Sequence, residues 1–250
     1  MKIALLIPST SRDRDWKETG DCYLLNYLLQ SFKDTYNSEH EYTIYIGIDE
    51  DDKYYHNEQR ARELQDFIGL NIPLKFIVIK SRKGHVTDIW NKLFYFAYQE
   101  GNEYFVQAGD DVTFLDKGWD NACIKILESN NNIGVVGFTD ETRKNCDKLI
   151  YTQTFVHRCH FDIFKFYFPP EITNWYCDDW ITNVYKETND GFLTIHRIAN
   201  LGGKPRYKVV DCPVKCNYLV KKYKLNIGKF KLSDNILNGS GEGETIEESK

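Results

Sequence analysis

The spacing of short apolar runs is the feature that most limits how this chain can fold. Between residues 1 and 140, runs of strand length alternate with segments whose apolar residues recur at helical spacing. The strand-like runs lie at 3–9, 42–49, 74–80, 103–108 and 133–138. Such alternation is typical of a layered α/β fold, in which crossover helices cover a sheet. We therefore expect a nucleotide-binding architecture, with ligands beyond the carboxyl ends of the strands.

The helical segments in this half are predicted around 25–32, 57–70, 86–97 and 118–130. The second half is less regular. It contains a mixed segment at 149–164, a Pro-Pro break at 169–170, a helix starting near 176, and strand-like runs at 192–199 and 207–211. Without a linker or repeat, we expect one domain over 1–237, divided into halves at 1–140 and 141–237. The Gly-rich acidic end, 238–250, predicts a disordered tail.

Composition excludes several classes of protein. The chain has 250 residues, of which 42% are hydrophobic, so it can bury a substantial core. A net charge of -5 disfavours general nucleic-acid binding. Seven cysteines without a paired CxxC arrangement favour reduced, buried thiols. The opening run "MKIALLIP" is too short for a signal peptide or membrane span, so we expect a soluble, cytoplasmic protein.

Acidic residues follow two of the predicted strands. "GIDEDD" ends the second strand with Asp49 and the acidic run up to Asp52, and "GDD" ends the fourth with Asp110 and Asp111. Neighbouring carboxylates repel each other, so this arrangement suits a divalent cation such as Mg²⁺ or Mn²⁺. A solvated acidic turn is the alternative interpretation of "GDD" taken alone.

Two further loops carry candidate functional residues. "PSTSRDR" ends the first strand and is neither a Walker loop nor a GxGxxG motif. Pro8 and Ser9 leave backbone groups and hydroxyls at the strand end, and Arg12 and Arg14 are near enough to meet phosphates. In "CDDW", apolar neighbours of Asp178 and Asp179 should raise a carboxyl pKa toward the range of a general base. The alternatives are a solvated arginine in the first loop and helix capping by Asp178 in the second.

"PSTSRDR", "YIGIDEDD", "DIWNKLFYFA", "FVQAGDDV", "GVVGF" and "CDDW" occur in this order over about residues 1 to 215. This ordered set resembles the GT-A glycosyltransferases, in particular the inverting, family-2-like enzymes. The resemblance implies a Rossmann-like three-layer α/β/α sandwich with a mixed, mostly parallel sheet. It also makes 1–140 the nucleotide-sugar-binding half and 141–237 the acceptor-binding half.

The resemblance implies a role for each motif. The donor, expected to be a UDP-linked sugar, would be held at Pro8, Ser9, Arg12, Asp49, Asn91 and Asp110. Asp111 would be a direct ligand of Mn²⁺ or Mg²⁺. Asp179 would be the base that activates an acceptor hydroxyl, and Asp178 would stand in the family's Glu position. The acceptor class, whether a glycan, a protein or a small molecule, is left open, as is the oligomeric state.

The sequence departs from the family pattern at two places. Gly109 replaces the first acidic residue of a full DxD motif, which implies fewer protein ligands for the metal. A late histidine ligand is also hard to place: His196 is the candidate, with a core or surface histidine as the alternative. Lys204 and Arg206 could contact the diphosphate instead. His157 and His160 are expected to be structural.

Three other functions compete with glycosyl transfer. "GDD" is also found in the palm of RNA-dependent RNA polymerases, but the chain is short, lacks basic character and alternates β and α elements. A sugar-nucleotide pyrophosphorylase would need a Gly-rich N-terminal loop, which is missing. A non-catalytic sugar-nucleotide-binding or scaffold protein of the same fold is the remaining alternative, and the shortened metal motif favours it.

Overall fold

The computed structural model of the chain describes residues 1–202 and 209–239. The strands are β1 (Lys2–Ser9), β2 (Glu41–Asp49), β3 (Leu74–Ile79), β4 (Tyr104–Gln107), β5 (Val112–Phe114), β6 (Val135–Asp140), β7 (Thr154–His157) and β8 (Gly191–Asn200). The α-helices are α1 (Gln30–Thr35), α2 (Glu58–Ile68), α3 (Val86–Gln99), α4 (Trp119–Glu128), α5 (Cys159–Phe164), α6 (Cys177–Lys186) and α7 (Pro213–Gly239). A π-helical stretch, Leu24–Leu29, leads directly into α1.

The strands form one mixed sheet in the order β3-β2-β1-β4-β7-β6-β8-β5. The pairs β3-β2, β2-β1, β1-β4 and β6-β8 are parallel, whereas β7 is antiparallel to both of its neighbours and β5 is antiparallel to β8. This confirms the predicted mixed, mostly parallel sheet. The carboxyl ends of β1, β2, β4, β6 and β8 lie along one edge of the sheet.

Helices cover both faces of the sheet, as predicted. The helix over 24–35, α2 and α4 pack on one face, where Phe32, Leu64 and Trp119 belong to one buried cluster. α3, α5, α6 and α7 pack on the other face in a second cluster. β1, β2 and β4 present apolar side chains to both layers, which is why their sequences are nearly continuous apolar runs.

The C-terminal part of the structure differs from the sequence-based expectation. Of the strand predicted at 207–211, the described residues 209–211 are irregular, and the side chain of Asp211 accepts the backbone N–H of Thr173 (2.7 Å). The helix α7 was not predicted. The acidic tail predicted at 238–250 lies outside the described residues except for its first two positions, which belong to α7. Among the helices that the structure describes, none is long and apolar enough to cross a membrane.

Candidate active site

Asp52 joins the loops that follow β1 and β2. Its carboxylate, 6% exposed, accepts the backbone N–H (2.7 Å) and the hydroxyl (2.7 Å) of Ser11 and the hydroxyl of Thr10 (3.2 Å). It also accepts the backbone N–H groups of Tyr54 (3.1 Å) and Tyr55 (3.3 Å). Asp52 therefore fixes the shape of both loops. Sequence reasoning treated it only as part of an acidic run, although an Asp that bonds N–H groups two and three residues ahead is a known turn signal.

The same two loops bring together the residues predicted to hold a nucleoside. Pro8 and Ser9 are the last residues of β1, and Asp49 is the last residue of β2. The Thr10 hydroxyl oxygen also lies 3.1 Å from Asp49 Oδ2, so Asp49 and Asp52 share its single proton, and Arg12 Nη2 lies 3.5 Å from Asp49 Oδ2. These groups lie together where β1 and β2 end.

Asp110 is turned into the protein. It is 2% exposed and accepts a hydrogen bond from the Ser9 hydroxyl (2.7 Å), whose oxygen is 2.6 Å from the Tyr55 hydroxyl. Since Ser9 has one hydroxyl proton and gives it to Asp110, Tyr55 must be the donor to Ser9. Burial raises the pKa of Tyr55 well above its ordinary value, which keeps this phenol protonated. The chain Tyr55–Ser9–Asp110 therefore links the ends of β1, β2 and β4.

Asp111 faces the opposite way and rests on two glycines. A Cβ atom added at Gly202 would lie 1.6 Å from Asp111 Oδ2, and one added at Gly109 would lie 2.5 Å from Asp111 Oδ1. The backbone N–H of Leu201 donates to the Asp111 carbonyl (2.9 Å). The carboxylate thus occupies space that only glycine leaves free, and it remains half-buried at the sheet edge.

His196 does not lie with Asp111. Asp111 is opposite Leu201 across the β5-β8 ladder, and His196 is five residues back along β8, which is a separation of about 16 Å. The His196 Nδ1 atom hydrogen-bonds the Thr194 hydroxyl (2.8 Å) instead. No cluster of three potential metal-ligating side chains occurs within residues 1–202 and 209–239. Asp111 is one of several half-buried carboxylates at this edge, which also include Asp49 and Asp140.

Asn91 holds a loop. Its side-chain oxygen accepts the N–H groups of Tyr167 (2.9 Å) and Phe168 (2.9 Å), and its amide nitrogen donates to the Phe168 carbonyl (2.8 Å). These bonds use three of the four hydrogen-bonding positions of the amide. The structure therefore gives Asn91 a structural task at the site where the sequence predicted a donor contact. Arg206, predicted to meet the diphosphate, lies outside the described residues, as does Lys204.

The two carboxylates that begin α6 have different surroundings. Burial raises the pKa of Asp178 to about 7, and the nearby charges of Asp179 and Asp140 add to the rise, against the lowering effects of a Cys177 thiol hydrogen bond and of Arg143. The Asp179 carboxylate instead forms an ion pair with Lys148. Because Asp140 ends β6, Asp178 faces the sheet edge.

The first residues of α6 do not cap the helix with a side chain. Its N-cap is Tyr176, in a left-handed conformation (φ 70°) and without a capping side-chain bond, so Asp178 lies inside the first turn. This excludes the interpretation of Asp178 as the N-cap residue.

His160 is structural, as expected. It is 1% exposed, its Nε2 donates to the Tyr167 carbonyl (3.0 Å), and its Nδ1 accepts from the Tyr185 hydroxyl (2.7 Å). Burial lowers the pKa of His160 to about 4, which keeps the imidazole neutral. His157 is half-buried and contacts Cys159.

Comparison with known families finds no matching family, and comparison with curated proteins finds no matching relative. Among solved structures, the chain is similar to S. aureus TarS 1-349 in complex with UDP-GlcNAc, with a TM-score of 0.61 and 12% identity over 88% of this chain. It is also similar to TarS 1-349 in complex with UDP, with a TM-score of 0.51 and 13% identity over 90% of this chain. The chain spans 65% and 64% of the lengths of these two structures.

TarS is a GT-A family 2 glycosyltransferase. At 12% identity, the similarity concerns the fold, which includes the mixed sheet and its flanking helices. It agrees with the resemblance that the ordered motifs imply, and with the acidic groups found at the carboxyl edge. This chain has the GT-A glycosyltransferase fold.

Proposed function

We propose that the protein is a metal-dependent glycosyltransferase that moves a sugar from a UDP-linked donor to an acceptor hydroxyl with inversion. The observation that carries the proposal is the meeting of acidic groups at one edge of a GT-A fold. Asp49 ends β2, Asp111 follows β4, and Asp178 begins α6 beside the end of β6. The similar TarS structures contain UDP-GlcNAc and UDP, which supports a nucleotide-sugar donor.

The nucleoside of the donor would lie between the loops after β1 and β2. Asp49 offers a carboxylate that can accept hydrogen bonds from ribose or base, and Arg12 is held near it. Asp52 holds both loops in place from beneath and need not touch the donor. Asp110, buried against Ser9, acts in the same way on the loop that carries Asp111.

Asp111 fits a hard divalent cation. Mg²⁺ is usually bound by one or two carboxylates together with water and substrate phosphates, and a single half-exposed carboxylate matches that pattern. Mn²⁺ takes similar oxygen ligands. When bound, the ion would stabilise negative charge on the departing diphosphate. We retain Arg206 as a second proposed contact for that charge.

The pair at the start of α6 would supply the base. A carboxyl group with a pKa of about 7 is half ionised at neutral pH and can accept a proton from an acceptor hydroxyl, which favours Asp178 for this step. The Asp179 carboxylate is held in an ion pair with Lys148, so we assign it the role of a positioning residue. Attack by the activated hydroxyl on the face opposite the diphosphate inverts the anomeric centre. The family resemblance implies Asp179 as the base, so variants of both residues distinguish the two assignments.

The direct test is release of UDP from a panel of UDP-sugars, with Mn²⁺ or with a chelator. We expect turnover with at least one donor in the presence of Mn²⁺, and loss of turnover with the chelator. Calorimetric binding of a UDP-sugar with no hydrolysis or transfer for any acceptor would favour the non-catalytic sugar-nucleotide-binding protein. The absence of both binding and turnover would contradict the proposal.

Asp52→Asn should weaken UDP binding about tenfold. The new amide nitrogen replaces an oxygen that accepts hydrogen bonds from Ser11 and Thr10, and a buried donor without its acceptor costs about 1–3 kcal/mol. The dissociation constant of UDP, measured by calorimetry, reports the change. Asp51→Asn is the matched control, because the Asp51 side chain is 71% exposed and pairs with Arg12 at the surface. Equal effects of the two substitutions would remove Asp52 from its positioning role.

A further inference from the structure

Helix α7 presents apolar side chains on two opposite sides. Its inner side packs on the core through Cys216, Leu219, Val220 and Ile227, which are at most 3% exposed. At 100° per residue, Val214, Tyr218, Leu225 and Leu232 fall on the opposite side. These four residues, which we call the outer stripe, are 78%, 65%, 60% and 67% exposed. A helix that is apolar on both sides is normally covered by protein or lipid on both sides.

Helix α7 carries an excess of positive charge. The sequence of α7 contains six lysines and one acidic residue, Asp234, although the whole chain carries a net charge of -5. Four of these lysines reach carboxylates of the protein's own body: Lys215 with Asp211, Lys222 with Glu171, Lys224 with Glu187 and Lys231 with Asp190.

The other two lysines border the outer stripe. At 100° per residue, Lys221 and Lys229 lie on either side of the line through Leu225 and Leu232, and both are exposed. The outer side of α7 is therefore an apolar line with positive edges.

We propose that the outer side of α7 docks on an anionic lipid bilayer. Apolar side chains can enter the boundary between headgroups and acyl chains while the lysines at their edges meet lipid phosphates. A second copy of the chain fits less well. In a symmetric dimer the same patch lies on both subunits, and between residues 213 and 233 this patch offers no carboxylate to neutralise the lysines of its partner.

Exposed apolar residues continue this surface toward the candidate active site. Val210 is 63% exposed and Trp175 is 41% exposed. The segments that carry them are joined where Asp211 accepts the backbone N–H of Thr173 (2.7 Å). Tryptophan and other large apolar side chains are typical at membrane interfaces. Val210 lies three residues before α7 and Trp175 three residues before Asp178, so docking through α7 would bring the start of α6 close to the bilayer.

Sedimentation of the full chain with lipid vesicles tests the proposal. Vesicles of phosphatidylcholine alone are compared with vesicles in which about one third of the lipid is phosphatidylglycerol. We expect at least about tenfold stronger binding to the anionic vesicles, and release in about 0.5 M salt. The assay does not depend on transfer activity, so it separates this proposal from the proposed glycosyltransferase function.

Two pairs of variants examine the two parts of the surface. Lys221→Glu with Lys229→Glu, and Tyr218→Ser with Leu225→Ser, should each weaken binding at least about tenfold while leaving the melting temperature nearly unchanged, because these side chains are exposed. The matched controls are Lys125→Glu and Leu70→Ser, exposed residues at α4 and just after α2 on the other face of the sheet. The controls should bind like the parent protein.

Three outcomes would overturn the proposal. The first is that the parent protein binds neutral and anionic vesicles equally, or binds neither. The second is that the control variants lose as much vesicle binding as the variants of the outer side of α7. The third is a dimer in light scattering that dissociates on Tyr218→Ser with Leu225→Ser, which would show that a second copy covers the outer stripe.

Discussion

Gly202→Ala should lower the rate of transfer from a UDP-sugar at least about 100-fold. The new Cβ atom would lie 1.6 Å from Asp111 Oδ2, so the carboxylate has to move by more than 1 Å. A displacement of that size in a group that positions substrate is enough for such a loss. Steady-state rates and the concentration of Mn²⁺ needed for half-maximal activity, measured on the same preparation, report the effect.

Gly228→Ala is the matched control for Gly202→Ala. Nothing lies within 4 Å of a Cβ atom at Gly228, which is on the exposed side of α7, so this variant should keep full activity and the same or a higher melting temperature. Full activity in Gly202→Ala would show that the position of Asp111 does not matter for the reaction.

Asp178→Asn should lower the transfer rate by about 10²–10⁴-fold, the usual contribution of a general base. In the parent protein the rate should rise with pH through about 7, where the Asp178 carboxyl loses its proton. Asp179→Asn removes the ion pair with Lys148 and should cause a smaller loss, with the same dependence on pH. The reverse order of effects would return the role of base to Asp179, as the sequence implied.

Asp178→Asn should also change stability in a way that depends on pH. The pKa of Asp178 is about 7 in the folded protein, compared with an ordinary value of 3.8. Between these values the folded state holds a proton that the unfolded state has lost, so the free energy of unfolding falls as pH rises from about 4 to about 7. Asparagine carries no such charge. The variant should therefore melt at a higher temperature than the parent at pH 8 and show little difference near pH 4.

If the melting temperatures of Asp178→Asn and the parent differed by the same amount at pH 4 and at pH 8, the raised pKa of Asp178 would be contradicted. This result can be read independently of activity. The two readouts together separate a catalytic role of Asp178 from a purely structural one.

The architecture of the first half could be predicted because its strands and helices each show a clear local pattern of apolar residues. The apolar runs at 3–9 and 42–49 are buried from both sides, and such runs stand out between helical patterns. The position of Asp49, Asp110 and Asp111 at one edge followed as well, because the ends of parallel strands meet at the same side of a sheet. Parallel pairing of β1 with both β2 and β4 is what brings them there.

Other features depend on tertiary contacts that no local pattern encodes. Asp110 and Asp111 are adjacent, yet one is buried against Ser9 and the other rests on Gly202, more than 90 positions away in the chain. The distance between His196 and Asp111 depends on the register of β5 with β8, and β5 is too short to recognise in the sequence. Helix α7 escaped recognition because apolar residues on two sides blur the helical period.

A crystal structure of the protein with a UDP-sugar and Mn²⁺ tests the central claim most directly. The proposed site predicts density for the diphosphate and the ion at Asp111, and for the uridine between the loops that carry Arg12 and Asp49. Nucleotide bound at another place on the protein, or an edge that stays empty at saturating nucleotide, would contradict it.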